Sequence, residues 1–380
     1  MSVKKYVFLW YNRENNEKSG DDMKKLWILI CLLAMMILGG CSGDGTVSDG
    51  ADVIYGDVAE DAAFSIYFFD VGQADAALVI CDGETMLIDG GNVADGDDVV
   101  ASIDALGVSE LDVVVSTHTD EDHLGGLPDV MESFEVGALY ADGNPADTKI
   151  YQRFCDVAAD NGLDMTDPEP GDTFALGSAD VTFLGPIRLA SDPNANSIVL
   201  RIDYGATSYI FTGDATEKEE KEIVEAGMEL SANVLKVSHH GAEESSSYVF
   251  LREVMPDYAV ISVGAGNKYG HPTEATLSRL RDVGAAVYRT DELGMIICRS
   301  DGVNIAFSNS NQSAMPPAEE NRTDKVPAVE EDAAYIGNSN SKKFHLPDCG
   351  SLPEEQNSVY FATKEEALSQ GYEPCGRCKP

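Results

Sequence analysis

Residues 116–126 read STHTDEDHLGG and follow the largely apolar run of residues 111–115. Two histidines and three carboxylates therefore come directly after a segment with the pattern of a buried strand. Imidazole and carboxylate are the side chains that bind divalent metals in proteins. The stretch predicts a metal site at a strand end, and a polar turn with two incidental histidines is the alternative interpretation.

Other apolar runs end in the same way. Asp214 follows the run YIFTG, His239 and His240 follow the run NVLKVS, and His271 lies in a glycine-rich loop after residues 258–263. The chain has six histidines, and three of the four outside the first stretch lie at these strand ends. If these strand ends share one edge of a sandwich, a binuclear metal site is the economical interpretation.

Mixed strands come first along the chain, and strands alternating with helices follow, which predicts two sheets with helices outside them. Strands are expected near residues 64–69, 76–81, 85–89, 112–117, 180–184, 197–203, 208–212, 233–238 and 258–263, with the last ones near Ala286, Met295 and Val303. Helices are expected over residues 99–106, 150–161, 216–228, 246–254 and 273–283. Asp214 and Thr216 are candidates to cap the third of these helices.

The charge balance limits the class of partner. The chain has 26 Lys and Arg against 66 Asp and Glu, for a formal net charge of −40 at pH 7. Such a surface repels polyanions at long range, which argues against nucleic-acid binding through the general surface. A local cleft filled with cations can still accept a phosphate.

The N-terminal segment has the pattern of a targeting signal. Two lysines follow Met23, and an apolar run over residues 26–38 is too short for a membrane span, which needs about 20 residues. The LGGC motif that ends at Cys41 resembles a bacterial lipobox, so Cys41 is expected to be lipidated. Residues 1–40 are then a signal segment with Met23 as the start, and residues 41–62 an acidic tether. The expected location is the outer face of the cytoplasmic membrane; an uncleaved anchor or plain secretion are the alternatives.

Seven motifs carry a family resemblance. In chain order they are FDVGQAD (69–75), LIDGG (87–91), HTDEDH (118–123), NSIVL (196–200), FTGD (211–214), SHHG (238–241) and NKYGHP (267–272). They resemble the metallo-β-lactamase fold and, more narrowly, the hydrolase domain of ComEC-type DNA-uptake proteins. The resemblance covers about residues 64–308, within an expected hydrolase domain of residues 63–308. It implies a four-layer αββα sandwich with a two-metal cleft at the edges of the sheets.

The resemblance also implies a ligand set. His118 and Asp120 match ligands of a first ion, Asp122 and His123 match ligands of a second, and Asp214 matches the carboxylate that bridges both. Asp122 is in addition expected to be required for catalysis.

Further site residues follow from the same resemblance. His239 matches the last histidine of the second ion site, and His240 is the alternative for that ligand or a group that meets the substrate. Asp89 is expected to orient a ligand imidazole from the second shell. His271 and residues 245–247 are candidates to hold a phosphate or protonate a leaving group, although a histidine in such a loop is about as often a structural cap.

The chain departs from the common family pattern at the first ion site. Asp120 stands where a histidine is usual, and no histidine lies between His123 and His239. Asn196 or water is the candidate for the missing ligand. ComEC-type domains share the aspartate variant. A site richer in oxygen ligands favours a harder ion, so Mn²⁺ is expected over Zn²⁺.

The C-terminal end predicts a second metal site. After a linker over residues 309–332, residues 333–380 resemble the small zinc-binding module of Ada-type DNA repair proteins. Four ligands for one structural Zn²⁺ come from the spacing H-x₃-C and C-x₂-C, namely His345, Cys349, Cys375 and Cys378. His345 stands where the resemblance expects a cysteine. A disulfide between the last two cysteines is the alternative.

These features predict a surface-anchored, binuclear metal-dependent hydrolase, namely a phosphodiesterase or nuclease that acts on extracellular DNA. One alternative is hydrolysis of a small ester, lactone or β-lactam, since one fold can carry several chemistries. A non-catalytic lipoprotein that binds DNA or a partner is the second alternative. The basic residues of the C-terminal module make it the expected nucleic-acid contact, and protein partners stay undefined.

Overall fold

The computed structural model describes residues 58–59, 61–310, 335–338, 342–346, 358–361, 364–369 and 371–375. Cys41 with the signal segment, most of the tether, the linker from residue 311 on, and Cys349 and Cys378 lie outside the described residues. Among the helices that are described, none is long and apolar enough to cross a lipid bilayer.

The first sheet has eight strands in the order β15-β14-β1-β2-β3-β4-β5-β6. The strands are β1 (Phe64–Phe68), β2 (Ala77–Cys81), β3 (Glu84–Ile88), β4 (Glu110–Ser116), β5 (Glu135–Ala141), β6 (Met165–Thr166), β14 (Ile296–Ser300) and β15 (Ile305–Asn309). Strands β3 to β6 run parallel, whereas β1, β2, β14 and β15 pair antiparallel.

The second sheet has seven strands in the order β13-β12-β11-β10-β9-β8-β7. These are β7 (Thr173–Leu176), β8 (Ala179–Gly185), β9 (Val199–Tyr204), β10 (Thr207–Phe211), β11 (Val234–Lys236), β12 (Tyr258–Ile261) and β13 (Ala286–Arg289). Strands β10 to β13 are parallel to one another, so their carboxyl ends lie at one edge.

Helices cover the outer face of each sheet. They are α1 (Gly96–Ala105), α2 (Glu121–Leu124), α3 (Leu127–Ser133), α4 (Lys149–Asp160), α5 (Glu217–Ala226), α6 (Tyr248–Val254), α7 (Glu274–Asp282) and α8 (Thr290–Leu293), with short 3₁₀ turns at Asn194–Asn196 and Ser238–Gly241. Consecutive residues of β10 show how the layers form. Tyr209 and Phe211 pack into the core between the sheets, while Ile210 packs outward with α5 to α7. This period of two is what a strand buried on both faces requires. The αββα fold class predicted from the sequence is confirmed.

Several elements escape the sequence pattern, namely α3, α8, β5, β6 and β7. Of these, α3 and β5 lie between residues 124 and 149, where no element is expected from the sequence. Strand β5 is half exposed and contains Gly137, so it lacks the continuous apolar run that marks the other central strands. Helix α5 begins after Thr216, as expected, but Asp214 does not cap it.

The C-terminal module forms a separate four-stranded sheet in the order β18-β16-β17-β19, with helix α9 (Lys364–Ser369). Its strands are β16 (Tyr335–Asn338), β17 (Lys343–His345), β18 (Ser358–Phe361) and β19 (Glu373–Pro374). Phe344 and Phe361 are buried at the centre of this small sheet.

Candidate metal centre

The predicted ligands follow the carboxyl ends of neighbouring strands. His118 comes two residues after β4 ends, Asp214 three residues after β10, and His239 and His240 shortly after β11. Strands β10 and β11 are parallel neighbours, so their following loops meet at the same edge. The backbone of Ile198 donates to the carbonyl of Thr117 at 2.8 Å and joins the two sheets there.

A glycine contact sets the position of helix α2, which carries Asp122 and His123. A Cβ added to Gly126 would lie 2.1 Å from the carbonyl oxygen of Gly90, a distance that real side chains do not reach. The nitrogen of Gly90 in turn donates to the carbonyl of His123 at 2.7 Å. The glycines that flank the acidic stretch therefore allow the loop after β3 and helix α2 to approach each other.

Five predicted ligands converge in two overlapping groups. Ligand atoms of His118, His123 and Asp214 lie within 4.8 Å of one another, and so do those of Asp122, His123 and His240. Oδ1 of Asp214 lies 3.2 Å from Nε2 of His123, and its Oδ2 lies 3.8 Å from Nε2 of His240. The carboxylate of Asp214 thus contacts both groups.

Buried atoms without hydrogen bonds test whether this set fits a metal. Among the described residues, Nε2 of His118, His123 and His240 and Oδ1 of Asp214 are buried and have no hydrogen-bond partner. Buried polar groups in native proteins are normally paired, and each exception needs an explanation. A cation bound between these atoms would satisfy them together, so the residues fit a divalent metal.

In the metal-free cluster the imidazoles differ in charge, and a bound cation would replace the proton that the neighbouring carboxylates favour on His123. Burial and the neighbouring His123 lower the pKa of His118 to about 3, so its imidazole stays neutral, as a ligand must be. Burial opposes charge on His123, yet Asp214 and Asp89 outweigh it and raise the pKa of His123 well above the usual value. Burial likewise opposes charge on Asp214, but the histidines around it hold its pKa well below the usual range.

The two adjacent histidines, His239 and His240, differ in their surroundings. His240 is 2 % exposed; its Nδ1 contacts the carbonyl of Ser262 at 2.9 Å, and its Nε2 lies 3.5 Å from Oδ2 of Asp122. His239 keeps 20 % of its side chain exposed, and its Nε2 lies 3.5 Å from Oδ2 of Asp214. Both residues have left-handed backbone with φ near +50°, a strained conformation for a non-glycine residue. This turn points the two imidazoles in different directions.

Asp89 has the contacts that the predicted orienting role requires. Its Oδ2 lies 2.8 Å from Nδ1 of His123, which places the ring hydrogen on Nδ1 and leaves Nε2 facing the cluster. The hydroxyl of Thr117 also donates to Oδ2 of Asp89 at 2.8 Å and lies 3.1 Å from Nδ1 of His118. Asp89 and Thr117 together orient both imidazoles of the HTDEDH motif.

Asp75 and Lys236 form a buried ion pair, and neither residue is among the site residues predicted from the sequence. Nζ of Lys236 lies 2.6 Å from Oδ2 of Asp75, and both side chains are less than a tenth exposed. Oδ1 of Asp75 lies 3.2 Å from Nδ1 of His240. Burial opposes charge on Asp75, but Lys236 and His240 lower its pKa. The sequence feature that indicates such a pair is the lysine inside the apolar strand β11, because a lysine without a partner is almost never fully buried.

Asn196 and the serines of residues 245–247 have structural contacts. The side-chain amide of Asn196 accepts from the nitrogen of Ala190 at 2.7 Å and donates to its carbonyl at 3.1 Å. These bonds pin the loop before β9 and do not support the ligand role given to Asn196; its neighbour Ser197 lies 3.4 Å from Nδ1 of His118. Ser245 donates to two backbone carbonyls, and Ser247 caps α6. The contacts of Ser245 and Ser247 therefore do not support the phosphate-holding role given to them, whereas the hydroxyl of Ser246 is buried and has no hydrogen-bond partner among the described residues.

Asp120 and His271 lie at the border of the cluster. Oδ2 of Asp120 is 3.9 Å from Nε2 of His118, and almost half of the Asp120 side chain is exposed. The ring of His271 packs edge-on against His239, with centroids 5.6 Å apart. Burial and the neighbouring His239 and His240 lower the pKa of His271.

A buried carboxyl follows β5 at the same sheet edge, and it predicts a pH effect on stability. Burial and repulsion by Asp167, against a bond from Asn144, raise the pKa of Asp142 to about 7. A protein loses stability as pH rises from the unfolded pKa of a carboxyl, near 4, to a higher folded pKa, because ionisation then favours the unfolded state. Asp142→Asn removes this ionisable group. Between pH 5 and pH 8, the free energy of unfolding in urea should therefore fall by about 2 kcal/mol more for the wild type than for Asp142→Asn.

The exposed Asp160→Asn is the matched control for this comparison and should follow the wild type. Parallel stability curves for Asp142→Asn and the wild type would mean that Asp142 is ionised throughout.

Two of the four predicted ligands of the C-terminal module are described. Strands β17 and β19 are parallel, with Phe344 opposite Pro374, so His345 and Cys375 both follow directly at the same end of the pair. The nitrogen of Cys375 donates to the carbonyl of Phe344 at 2.9 Å. Both side chains are buried.

An αββα sandwich with histidines and carboxylates gathered at one edge of its sheets defines the class of metal-dependent hydrolases. The family model of the metallo-beta-lactamase superfamily matches residues 69–265, and that of the metal binding domain of Ada matches residues 322–380. The first match spans just over half of the 380 residues. The chain belongs to the metallo-beta-lactamase superfamily.

Curated relatives confirm the narrower resemblance. The chain is 31 % identical over 205 residues to ComE operon protein 3 of Bacillus subtilis (52 % of this chain, 26 % of that protein). It is 36 % identical over 235 residues to competence protein ComA of Neisseria gonorrhoeae (61 % and 32 %). The chain thus spans about a quarter to a third of the length of these relatives. The metallo-beta-lactamase fold protein YhfI from Bacillus subtilis matches at 14 % identity and a TM-score of 0.41 (60 % of this chain, 96 % of that one).

Proposed function

We propose that the chain is a metal-dependent phosphodiesterase or nuclease that acts on DNA outside the cytoplasm. The observation that carries the proposal is the convergence of four buried, unpaired ligand atoms at the sheet edge, from His118, His123, Asp214 and His240. A cluster that lacked a metal would leave these groups desolvated without compensation, which is costly.

The residues divide between two ion positions. His118, Asp120 and Asp214 would hold one ion, and Asp122, His123 and His240 would hold the other, with Asp214 shared. Bound divalent ions polarise a phosphoryl oxygen and lower the pKa of water. The acidic side chains of the HTDEDH motif offset the charge of such ions, which accounts for so many carboxylates at a buried strand end.

The contacts favour His240 over His239 as the last histidine ligand. His240 is buried, and its Nδ1 is fixed by Ser262 and Asp75, so its Nε2 is directed at Asp122 and Asp214. His239 is partly exposed, and its Nδ1 has no hydrogen-bond partner among the described residues. We assign His239 to contact with the substrate. The lowered pKa of His271 leaves it neutral at neutral pH, which favours holding the substrate over protonating a leaving group.

DNA is favoured as the substrate because two relatives are named for competence and for recombination. The second of these is recombination protein 2 of Haemophilus influenzae, to which the chain is 28 % identical over 236 residues. A phosphodiester is an anion that a pair of cations accepts locally, even on a chain with a net charge of −40. The lipid anchor at Cys41 and a contact of the C-terminal module with DNA belong to the same proposal.

The proposal for the C-terminal module is one Zn²⁺ held by His345, Cys349, Cys375 and Cys378. The burial of His345 and Cys375 at one end of neighbouring strands supports it. A module of this size has a small core and needs a metal or another cross-link for stability. Metal analysis of the purified chain should then give one Zn²⁺ beyond the ions of the hydrolase site.

The test is hydrolysis by the purified chain after chelation and reloading with Mn²⁺ or Zn²⁺. Bis-p-nitrophenyl phosphate and plasmid DNA should be cleaved by the reloaded protein and not by the chelated one. Turnover of nitrocefin or a lactone without phosphodiester cleavage would support a small-ester or β-lactam hydrolase. DNA binding without turnover of any substrate would support a binding lipoprotein.

A further inference from the structure

We infer that Tyr269 and His271 form a subsite on which an unpaired nucleobase stacks beside the metal cluster. The inference rests on the proposed function and names the part of the substrate that this loop binds. The substrate class is single-stranded DNA, or a duplex end whose bases are frayed, because paired bases inside a duplex do not offer their faces.

The loop after β12 is held in one conformation by a single side chain. The amide of Asn267 donates to the carbonyls of Gly264 at 3.0 Å and His271 at 2.6 Å. Its oxygen accepts from the nitrogens of Tyr269 and His271, both at 3.1 Å. All polar atoms of this side chain are therefore used to fix the loop, so the rings on it are pre-organised for binding.

The rings lead from the surface to the cluster. Tyr269 and His271 stack with centroids 5.7 Å apart and an angle of 25° between their planes. His271 packs edge-on against His239, whose Nε2 lies 3.5 Å from Asp214. A base stacked at Tyr269 would thus be separated from the predicted ligands by two imidazoles. Its phosphate would be brought toward the predicted ions.

The exposure of Tyr269 is not explained by packing. Its residue surface is 56 % exposed, whereas the large aromatic residues of the two sheets are buried or half-buried. A single exposed aromatic residue is ordinary on a protein surface. Here, however, the ring stacks on an imidazole at the mouth of a predicted metal centre, which is the arrangement of a stacking platform for bases.

Lys268 supplies a local positive charge at the same place. Its ammonium lies 4.8 Å from the centroid of the Tyr269 ring. An exposed contact of this kind stabilises by about 0.5–1 kcal/mol, and base–aromatic stacking by about 1–3 kcal/mol, so a base can displace the ammonium from the ring. The displaced lysine can then meet the adjacent phosphate, which matters on so acidic a chain.

The experiment compares three oligomers with the metal-loaded chain: single-stranded oligo-dT, the same sequence in a duplex, and an abasic oligomer of the same length. Tyr269→Ala should raise KM for oligo-dT about 5- to 150-fold and leave kcat/KM for the abasic oligomer unchanged. Tyr269→Phe should keep the wild-type KM, because it keeps the ring. Val303→Ala, an exposed apolar residue in the turn between β14 and β15, is the control.

Binding without turnover separates the two proposals. Fluorescence anisotropy of labelled oligo-dT with the metal-free chain should show the same loss of affinity for Tyr269→Ala. If no phosphodiester is cleaved but Tyr269→Ala still weakens binding of oligo-dT alone, the proposed function fails and the subsite stands. An equal effect on oligo-dT and on the abasic oligomer, or no effect on either, overturns the subsite.

Discussion

Asp214→Ala is expected to remove bound metal from the hydrolase domain and to lower phosphodiester cleavage by more than about 100-fold. Replacing a residue that only hydrogen-bonds a metal ligand typically lowers metal affinity or activity about 10- to 100-fold. Asp214 contacts both ligand groups directly, so its loss should have a larger effect. Loss of this carboxylate should therefore affect both ion positions, whereas Asp120→Ala should affect one.

The measurement is metal content by elemental analysis together with the rate of plasmid cleavage. Glu121→Gln is the matched control, because Glu121 is an exposed acid in the same motif and lies outside both ligand groups. The Asp214 variant and this control should have the same circular dichroism spectrum. Unchanged metal content in Asp214→Ala would remove Asp214 from the ligand set, and the binuclear proposal would go with it.

Lys236→Met is expected to destabilise the chain by about 3–5 kcal/mol, because it leaves the carboxylate of Asp75 buried without its partner. Asp75→Asn should cost a similar amount by leaving the lysine unpaired. The double variant should be more stable than the sum of the two single effects implies, since the residues are in contact. Urea unfolding at pH 7 gives all four free energies of the cycle.

The same substitution at the surface provides the control. Lys218 lies 3.1 Å from Glu219 with 68 % of its side chain exposed, so Lys218→Met should change the free energy of unfolding by less than about 1 kcal/mol. Asp75 also contacts Nδ1 of His240, so its loss should weaken metal binding in addition. Single variants with additive effects, at a cost near that of Lys218→Met, would show that the buried pair is not coupled.

The sequence predicted the fold class for a reason that particular strands make clear. In β10, alternate residues face the core between the sheets and the helices outside, and such continuous apolar runs are readable without any structure. The turn residues and ligand-type side chains at the ends of these runs were equally readable. The half-exposed strand β5 was not, because its pattern does not differ from that of a loop.

The direction in which each side chain points could not be predicted from the sequence. His239 and His240 are the same residue type in adjacent positions, and the left-handed backbone at both decides which one faces Asp122. Asn196 was a reasonable candidate ligand by type, but its amide bonds the backbone of Ala190. Lys236 was visible as a lysine in an apolar strand, yet only the approach of the β1–β2 loop showed Asp75 as its partner.

By itself, the sequence determined which metal-binding side chains the chain has and that they come at the ends of buried strands, since hydrophobic periodicity and residue chemistry are local properties. The tertiary structure alone decided which of these atoms meet, because their separation depends on backbone dihedrals and on packing between segments up to 165 residues apart, as for Asp75 and His240. The buried ligand atoms of His118, His123, Asp214 and His240, which have no hydrogen bonds among the described residues, are the physical result of that packing.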